Sequence, residues 1–170
     1  EEAKKKWGLT EQEVAQFTQI INNIEILIKS PDGQELIKHL AAETGLTPEQ
    51  IKSYSENGKG PKIRIVARTG DGGAFYTPTE GNLIEVDGSV LQILSKAQAR
   101  YSAFNDEEEE RNYAGTIFLM VKSILHEFTH FGDIETNGLV TDKGGGTQDK
   151  EKADNGYERG VDTEVFLCGE

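Results

Sequence analysis

The five residues from His126 to His130, with the sequence HEFTH, constrain the fold more than any other feature of this 170-residue chain. In an α-helix, residues four apart lie about 40° from one another around the axis and one turn apart along it. Both imidazoles can then reach one metal ion, and Glu127 is placed to touch a water on that ion rather than the ion itself. The segment is therefore expected to be helical and to bind zinc, which prefers nitrogen ligands in a tetrahedral arrangement and leaves one position to water in catalytic sites.

The flanking sequence predicts the extent of that helix. Asn105 or Asp106 can cap its start, and the four glutamates at 107–110 lie where the helix dipole favours negative charge. Apolar residues spread nearly all round the helix at 117–121, which predicts a buried central helix. Gly132 is expected to end it, so that the metal motif occupies the last turn.

A third protein ligand has to come from elsewhere, because the chain lacks the further histidine that follows the motif in metzincins. In the C-terminal segment, Glu158 and Asp162 are four apart and share one face if the segment is helical. This spacing resembles the gluzincin arrangement, in which a glutamate from a second helix binds zinc and an acid one turn later orients a ligating histidine. Glu158 is therefore expected to be the third ligand and Asp162 its orienting neighbour. The alternative ligands are Glu164 and, less favoured, Asp154 and Asp133.

The sequence HEFTHFGD from His126 to Asp133, with the glycine-rich stretch and the acid-rich C-terminal segment that follow, resembles a known group of domains. These are the small metallopeptidase domains of bacterial polymorphic toxins and secreted Bacteroidetes-type proteins. The resemblance rests on the C-terminal part of the chain, and its HExxH portion is specific to zinc peptidases as a class. It implies a compact gluzincin-like fold, a zinc cofactor and peptide-bond hydrolysis, and it does not supply a substrate.

The rest of the chain is predicted to be scaffold. A capping box of Thr10 with Glu13 opens one helix, and the run from Thr47 to Gln50 opens another. His39 on a further helix is expected to be a packing or surface residue. Alternating residues from position 62 onward predict three short strands in an antiparallel sheet, of which Leu83 to Val86 is expected to be the edge that binds substrate.

The predicted fold class is therefore α+β and zincin-like. It comprises N-terminal helices, a small antiparallel sheet, a central HExxH helix and a C-terminal ligand-bearing helix. One metallopeptidase domain is expected over residues 1–170. It divides into a helical scaffold at 1–60, the sheet with a connecting helix at 61–104, and the zinc-site helices at 105–170.

Composition restricts the partners. A net charge of −12 opposes binding to nucleic acid or to anionic membrane surfaces, and no apolar run is long enough to insert into a membrane. The single cysteine, Cys168, excludes an intrachain disulfide. Because the chain begins at Glu1, an upstream targeting segment or a larger parent protein is expected, and with it a secreted or extracytoplasmic bacterial location.

The expected reaction is hydrolysis of a protein or peptide by water activated on zinc, with Glu127 as the general base. Tyr157 or Tyr113 could stabilise the oxyanion. Two other functions stay open, a zinc hydrolase of a non-peptide or cell-wall amide and a binding module in which zinc is only structural.

Overall fold

The computed structural model describes residues 1–56, 58–67, 73–77 and 82–137. The elements of these residues follow one another along the chain as α1 Glu2–Trp7, α2 Glu11–Lys29, a 3-10 turn Pro31–Gly33, α3 Gln34–Thr44, α4 Pro48–Ser55, β1 Lys62–Val66, β2 Ala74–Thr77, β3 Leu83–Asp87, α5 Gly88–Phe104 and α6 Glu107–Asn137. This is a mainly helical α+β fold with a small sheet, as the sequence predicts. The expected C-terminal helix, with Glu158 and Asp162, lies outside the described residues.

Two capping boxes confirm the predicted starts of α2 and α4. The Thr10 hydroxyl accepts the Glu13 backbone N–H at 3.2 Å, while the Glu13 carboxylate accepts the Thr10 N–H at 2.7 Å. Thr47 and Gln50 make the same reciprocal pair, and Pro48 occupies the first turn, where its missing N–H costs no hydrogen bond. Each capping side chain satisfies a backbone donor that the helix leaves open and stabilises its helix by about 1 kcal/mol.

The sheet is mixed, so the prediction of an antiparallel sheet is wrong. Its strand order is β1-β3-β2, with β1 parallel and β2 antiparallel to β3. All five residues of β3 are buried, which suits a central strand. The expectation that Leu83 to Val86 form an edge is therefore also wrong, because β3 pairs on both sides and leaves β2 as the edge beside α6.

Helix α6 carries the HExxH motif and continues through Gly132 to Asn137, so Gly132 is not the terminator that the sequence predicts. A β-carbon at Gly132 would lie 2.6 Å from Cγ2 of Thr44 and 2.8 Å from Cδ1 of Leu46. This glycine therefore permits close packing of α6 against the turn after α3. The motif lies within the helix, with more than one further turn beyond it.

One hydrophobic core joins the described helices and strands, and α6 contributes Met120, Ile124, Leu125, Phe128 and Phe131 to it. The prediction that α6 is a buried central helix is wrong over 117–121, where Met120 alone is buried. Phe118 and Leu119 are 40% and 57% exposed.

Candidate metal centre

The two histidines of the motif meet on the face of α6 that the i, i+4 spacing predicts. Their Nε2 atoms are 3.0 Å apart, and their ring planes cross at 70° with centroids 4.8 Å apart. His130 is buried, while the side chain of His126 keeps 13% of its surface exposed. One imidazole is therefore fixed by packing and the other is open to a ligand from solvent.

Glu127 lies between this pair and the sheet, and its two oxygens have different surroundings. Oε2 accepts a hydrogen bond of 2.7 Å from the backbone N–H of Tyr76 on β2. Oε1 lies 4.0 Å from Nε2 of His126. The edge strand thus holds one oxygen of the carboxylate while the other faces the histidines.

These side chains fit a divalent metal ion. Two nitrogens, each about 2.0–2.1 Å from one tetrahedral zinc ion, lie roughly 3.3 Å apart, close to the separation of the two Nε2 atoms. One donor atom from each of His126, Glu127 and His130 lies within 4.8 Å of the others. Among the residues that the structure describes, this is the one group of three histidine, cysteine or acidic side chains so arranged.

The further ligands expected from the sequence are not brought into this group by the described residues. Glu158, Asp162, Glu164 and Asp154 lie outside the described ranges. Asp133 is described and is 1% exposed, one turn beyond His130 on α6, but it does not join the group. The third histidine of the chain, His39, lies on α3 and also stays apart from the group.

Tyr113 lies far from the centre, so the suggestion that it could be an oxyanion donor is wrong. It precedes His126 by thirteen residues on the same helix, which is about 20 Å along the axis. Its hydroxyl accepts a hydrogen bond from Gln16 Nε2 at 2.7 Å, and its ring stacks on Tyr101. Tyr113 therefore packs α6 against α2 and α5. The other candidate, Tyr157, lies outside the described residues.

Sequence reasoning missed a polar chain that joins β2 to the end of α6. The Tyr76 hydroxyl donates to Oδ1 of Asn82 at 2.9 Å, and Nδ2 of Asn82 donates to Oε1 of Glu135 at 2.9 Å. Asn82 has a φ of 57°, in the left-handed region that asparagine tolerates better than most residues. Burial, with a smaller contribution from the charge of Glu135, raises the pKa of Tyr76 to about 12. The phenol therefore stays neutral and, through Asn82, connects β2 to Glu135 near the end of α6.

The described elements define an α+β protein with a candidate metal centre on its longest helix, beside the edge strand of its sheet. The sequence model of a family described as metallopeptidase toxin 3 matches residues 10–165. The chain belongs to this family. The match extends well beyond the C-terminal part on which the resemblance rests, and the family's description implies a metal ion and peptidase chemistry.

Neither the curated proteins nor the solved structures with which the chain was compared include a match. None of the described helices is both long enough and apolar enough to cross a membrane.

Proposed function

We propose that the chain is a zinc-dependent peptidase in which His126 and His130 bind the metal and Glu127 is the general base. The observation that carries this proposal is the split environment of the Glu127 carboxylate, with Oε2 held by the Tyr76 N–H and Oε1 facing His126. A metal that only stabilises a fold needs no carboxylate held beside its histidines and is normally closed by a fourth protein ligand. The arrangement therefore favours catalysis over a structural zinc.

The residues have distinct tasks in this mechanism. A zinc ion held by His126 and His130 would act as a Lewis acid on the scissile carbonyl and would lower the pKa of a bound water toward neutral pH. Oε1 of Glu127 accepts the proton of the attacking water and then delivers it to the leaving amine. The hydrogen bond from Tyr76 keeps Oε2 from turning toward the histidines, so the base approaches the water in one orientation.

Glu158 is proposed as the third ligand and Asp162 as the carboxylate that orients an imidazole. The support is their one-turn spacing in a gluzincin-like pattern. The substrate is proposed to be protein, and the word toxin in the family's description supports action outside the bacterial cell that makes it. The net charge of −12 argues against nucleic acid as a substrate.

Replacement of the base separates metal binding from hydrolysis. Glu127→Gln should retain zinc and lower the turnover of an unstructured protein such as casein by at least about 100-fold, the scale of general-base removal. Zinc content and turnover are measured on the same sample. Glu110→Gln, at an exposed position early in the same helix, is the matched control and should change neither quantity.

The same experiment distinguishes the alternatives. Loss of zinc from Glu127→Gln with unchanged activity per bound zinc would contradict the role of the base. A parallel digest of peptidoglycan tests the second candidate, a hydrolase of cell-wall amides. Cleavage of peptidoglycan without cleavage of casein would replace the proposed substrate.

A further inference from the structure

An apolar pocket of about 180 Å³ lies between β2, α5 and α6. Its walls include Ala74 and Val86 from the sheet, Val90 from α5, and Leu119, Met120 and Ile124 from α6. Among the described residues none of those lining it is charged. Its volume resembles that of cavities of about 150 Å³ that take up benzene. It is therefore large enough for one aliphatic or phenyl side chain.

The pocket shares both its main walls with the centre. Ser123, which also lines it, precedes Glu127 by one turn of α6, and Met120 precedes Glu127 by two turns, about 10 Å along the axis. On the strand side, Ala74 is two residues from Tyr76, whose N–H holds Glu127, a separation of about 7 Å. A peptide that crosses the centre beside β2 therefore brings one of its side chains to this pocket.

The outward-facing backbone groups of β2 can form hydrogen bonds with that peptide. The Asp87 N–H donates to the Gly73 carbonyl at 2.9 Å, which makes Gly73 and Asp87 a hydrogen-bonded pair. Because such pairs alternate along an antiparallel ladder, Ala74 and Tyr76 direct their backbone groups away from β3. The Tyr76 N–H is already bonded to Glu127, so the peptide groups of Ala74 are the outward ones nearest the pocket.

The rim of the pocket exposes apolar surface that a ligand would cover. Leu119 is 57% exposed and Ile93, on α5, is 54% exposed. Removing apolar surface from water is worth about 25 cal/mol per Å², so an aliphatic side chain is favoured here over a charged one.

We propose that this pocket selects the substrate, accepting a leucine, isoleucine, methionine or phenylalanine side chain next to the scissile bond. The inference rests on the proposed peptidase function and adds the class of side chain recognised.

A charged side chain introduced at the rim of the pocket tests whether the pocket selects apolar substrate residues. Digestion of a mixed peptide library, read by mass spectrometry, should show one position flanking the cleaved bond enriched in these four residues. Leu119→Glu should lower kcat/KM for a leucine peptide by about tenfold or more, the effect of losing the burial of one aliphatic side chain. It should also raise the relative cleavage of the matching lysine peptide. Phe118→Glu is the matched control, because Phe118 is an exposed neighbour that does not line the pocket, and it should leave the preference unchanged.

Binding to the pocket is measured independently of hydrolysis. Met120 is the one methionine of the chain, so a 13C-methyl label gives a resonance from the pocket wall. Titration with acetyl-Gly-Leu-Gly-amide should shift that resonance, whereas acetyl-Gly-Asp-Gly-amide should not, and Leu119→Glu should remove the shift.

The outcomes separate this inference from the proposed function. Peptide cleavage without an apolar preference, or with a preference that Leu119→Glu leaves intact, overturns the pocket. Absence of cleavage of any peptide overturns the peptidase, and the methyl resonance then decides the pocket alone. If the Met120 resonance responds equally to the leucine and aspartate peptides, or responds to neither, the proposed pocket selectivity is overturned.

Discussion

At the residue scale, the two histidines of the centre differ in their burial, so replacing them should change the free energy of unfolding by different amounts. His130 is almost fully buried beside Phe131, whereas His126 reaches the surface. Removing His130 leaves a cavity in the core and also deletes a proposed metal ligand. Removing His126 chiefly deletes the other proposed ligand.

His126→Ala and His130→Ala should each lose most of the zinc from the purified chain, as measured by mass spectrometry of the metal. His130→Ala should in addition lower the free energy of unfolding of the metal-free protein by about 2 kcal/mol or more, as expected for a large-to-small change in a core. His39→Ala is the control for zinc content, since that histidine stays apart from the group. Full zinc content in both motif variants would rule out the assignment.

A second prediction at this scale concerns the proposed acidic ligands. Glu158→Gln should weaken zinc binding strongly because it removes the charge of the proposed third ligand. Asp162→Asn should weaken zinc affinity or activity by about 10- to 100-fold, as changes behind a ligand do, and Glu164→Gln should have the smallest effect. Zinc affinity by competition with a chelating dye measures all three. If Glu164→Gln alone strips the metal, the pairing by one-turn spacing is wrong.

How much of the site could be predicted depends on the distance along the chain. The approach of His126 to His130 follows from helix geometry over four residues, so the sequence predicts it. The bond from Tyr76 to Glu127 joins residues 51 apart, and no local pattern indicates it. Tyr113 is a different case, because it lies on the same predicted helix thirteen residues before His126, and helix geometry alone places it about 20 Å from the centre.

At the scale of elements, α6 contains two glycines with opposite surroundings. A β-carbon at Gly132 would overlap Thr44 and Leu46, whereas one at Gly115 would meet nothing within 4 Å. Both positions gain the same helix propensity, about 1 kcal/mol, when glycine becomes alanine. The difference between the two substitutions therefore isolates the packing of α6 against the turn after α3.

Gly115→Ala should raise the free energy of unfolding by about 0.5–1 kcal/mol. Gly132→Ala should lower it relative to Gly115→Ala by about 1–3 kcal/mol, the usual cost of overfilling a packed interface. Urea denaturation followed by circular dichroism gives both values. Equal stabilisation by the two substitutions would show that Thr44 and Leu46 can move to accommodate the added methyl group without a loss of stability.

Among the elements, too, the sequence predicts the features that depend on neighbouring residues and misses those that depend on contacts between distant ones. The starts of α2 and α4 are encoded within four residues by Thr10 with Glu13 and Thr47 with Gln50, and the sequence predicts both. The strand order depends on pairing across the chain. Three short consecutive strands suggest successive antiparallel neighbours, but β3 lies between the other two, and all five of its residues are buried there.

At the scale of the whole molecule, a metal that binds only the folded chain must stabilise it. The stabilisation is about 2.7 kcal/mol when free zinc is 100 times its dissociation constant. A chelator should therefore lower the melting temperature of the zinc-loaded protein, and added zinc should restore it. The combined variant His126→Ala, His130→Ala should melt at one temperature with or without the chelator. A chelator effect of equal size in that variant would place the metal elsewhere.

The hydrogen bond between Tyr76 and Glu127 also bears on the order in which the parts of the candidate centre form during folding. The histidine pair needs only a few turns of helix, which form within about a microsecond. The carboxylate is held only after a strand 51 residues upstream has docked, and closing loops of that length slows folding. The proposed general base is therefore oriented only once the tertiary fold is complete. A chain in which α6 has formed and β2 has not docked has both histidines on one helix face but no contact that fixes Glu127.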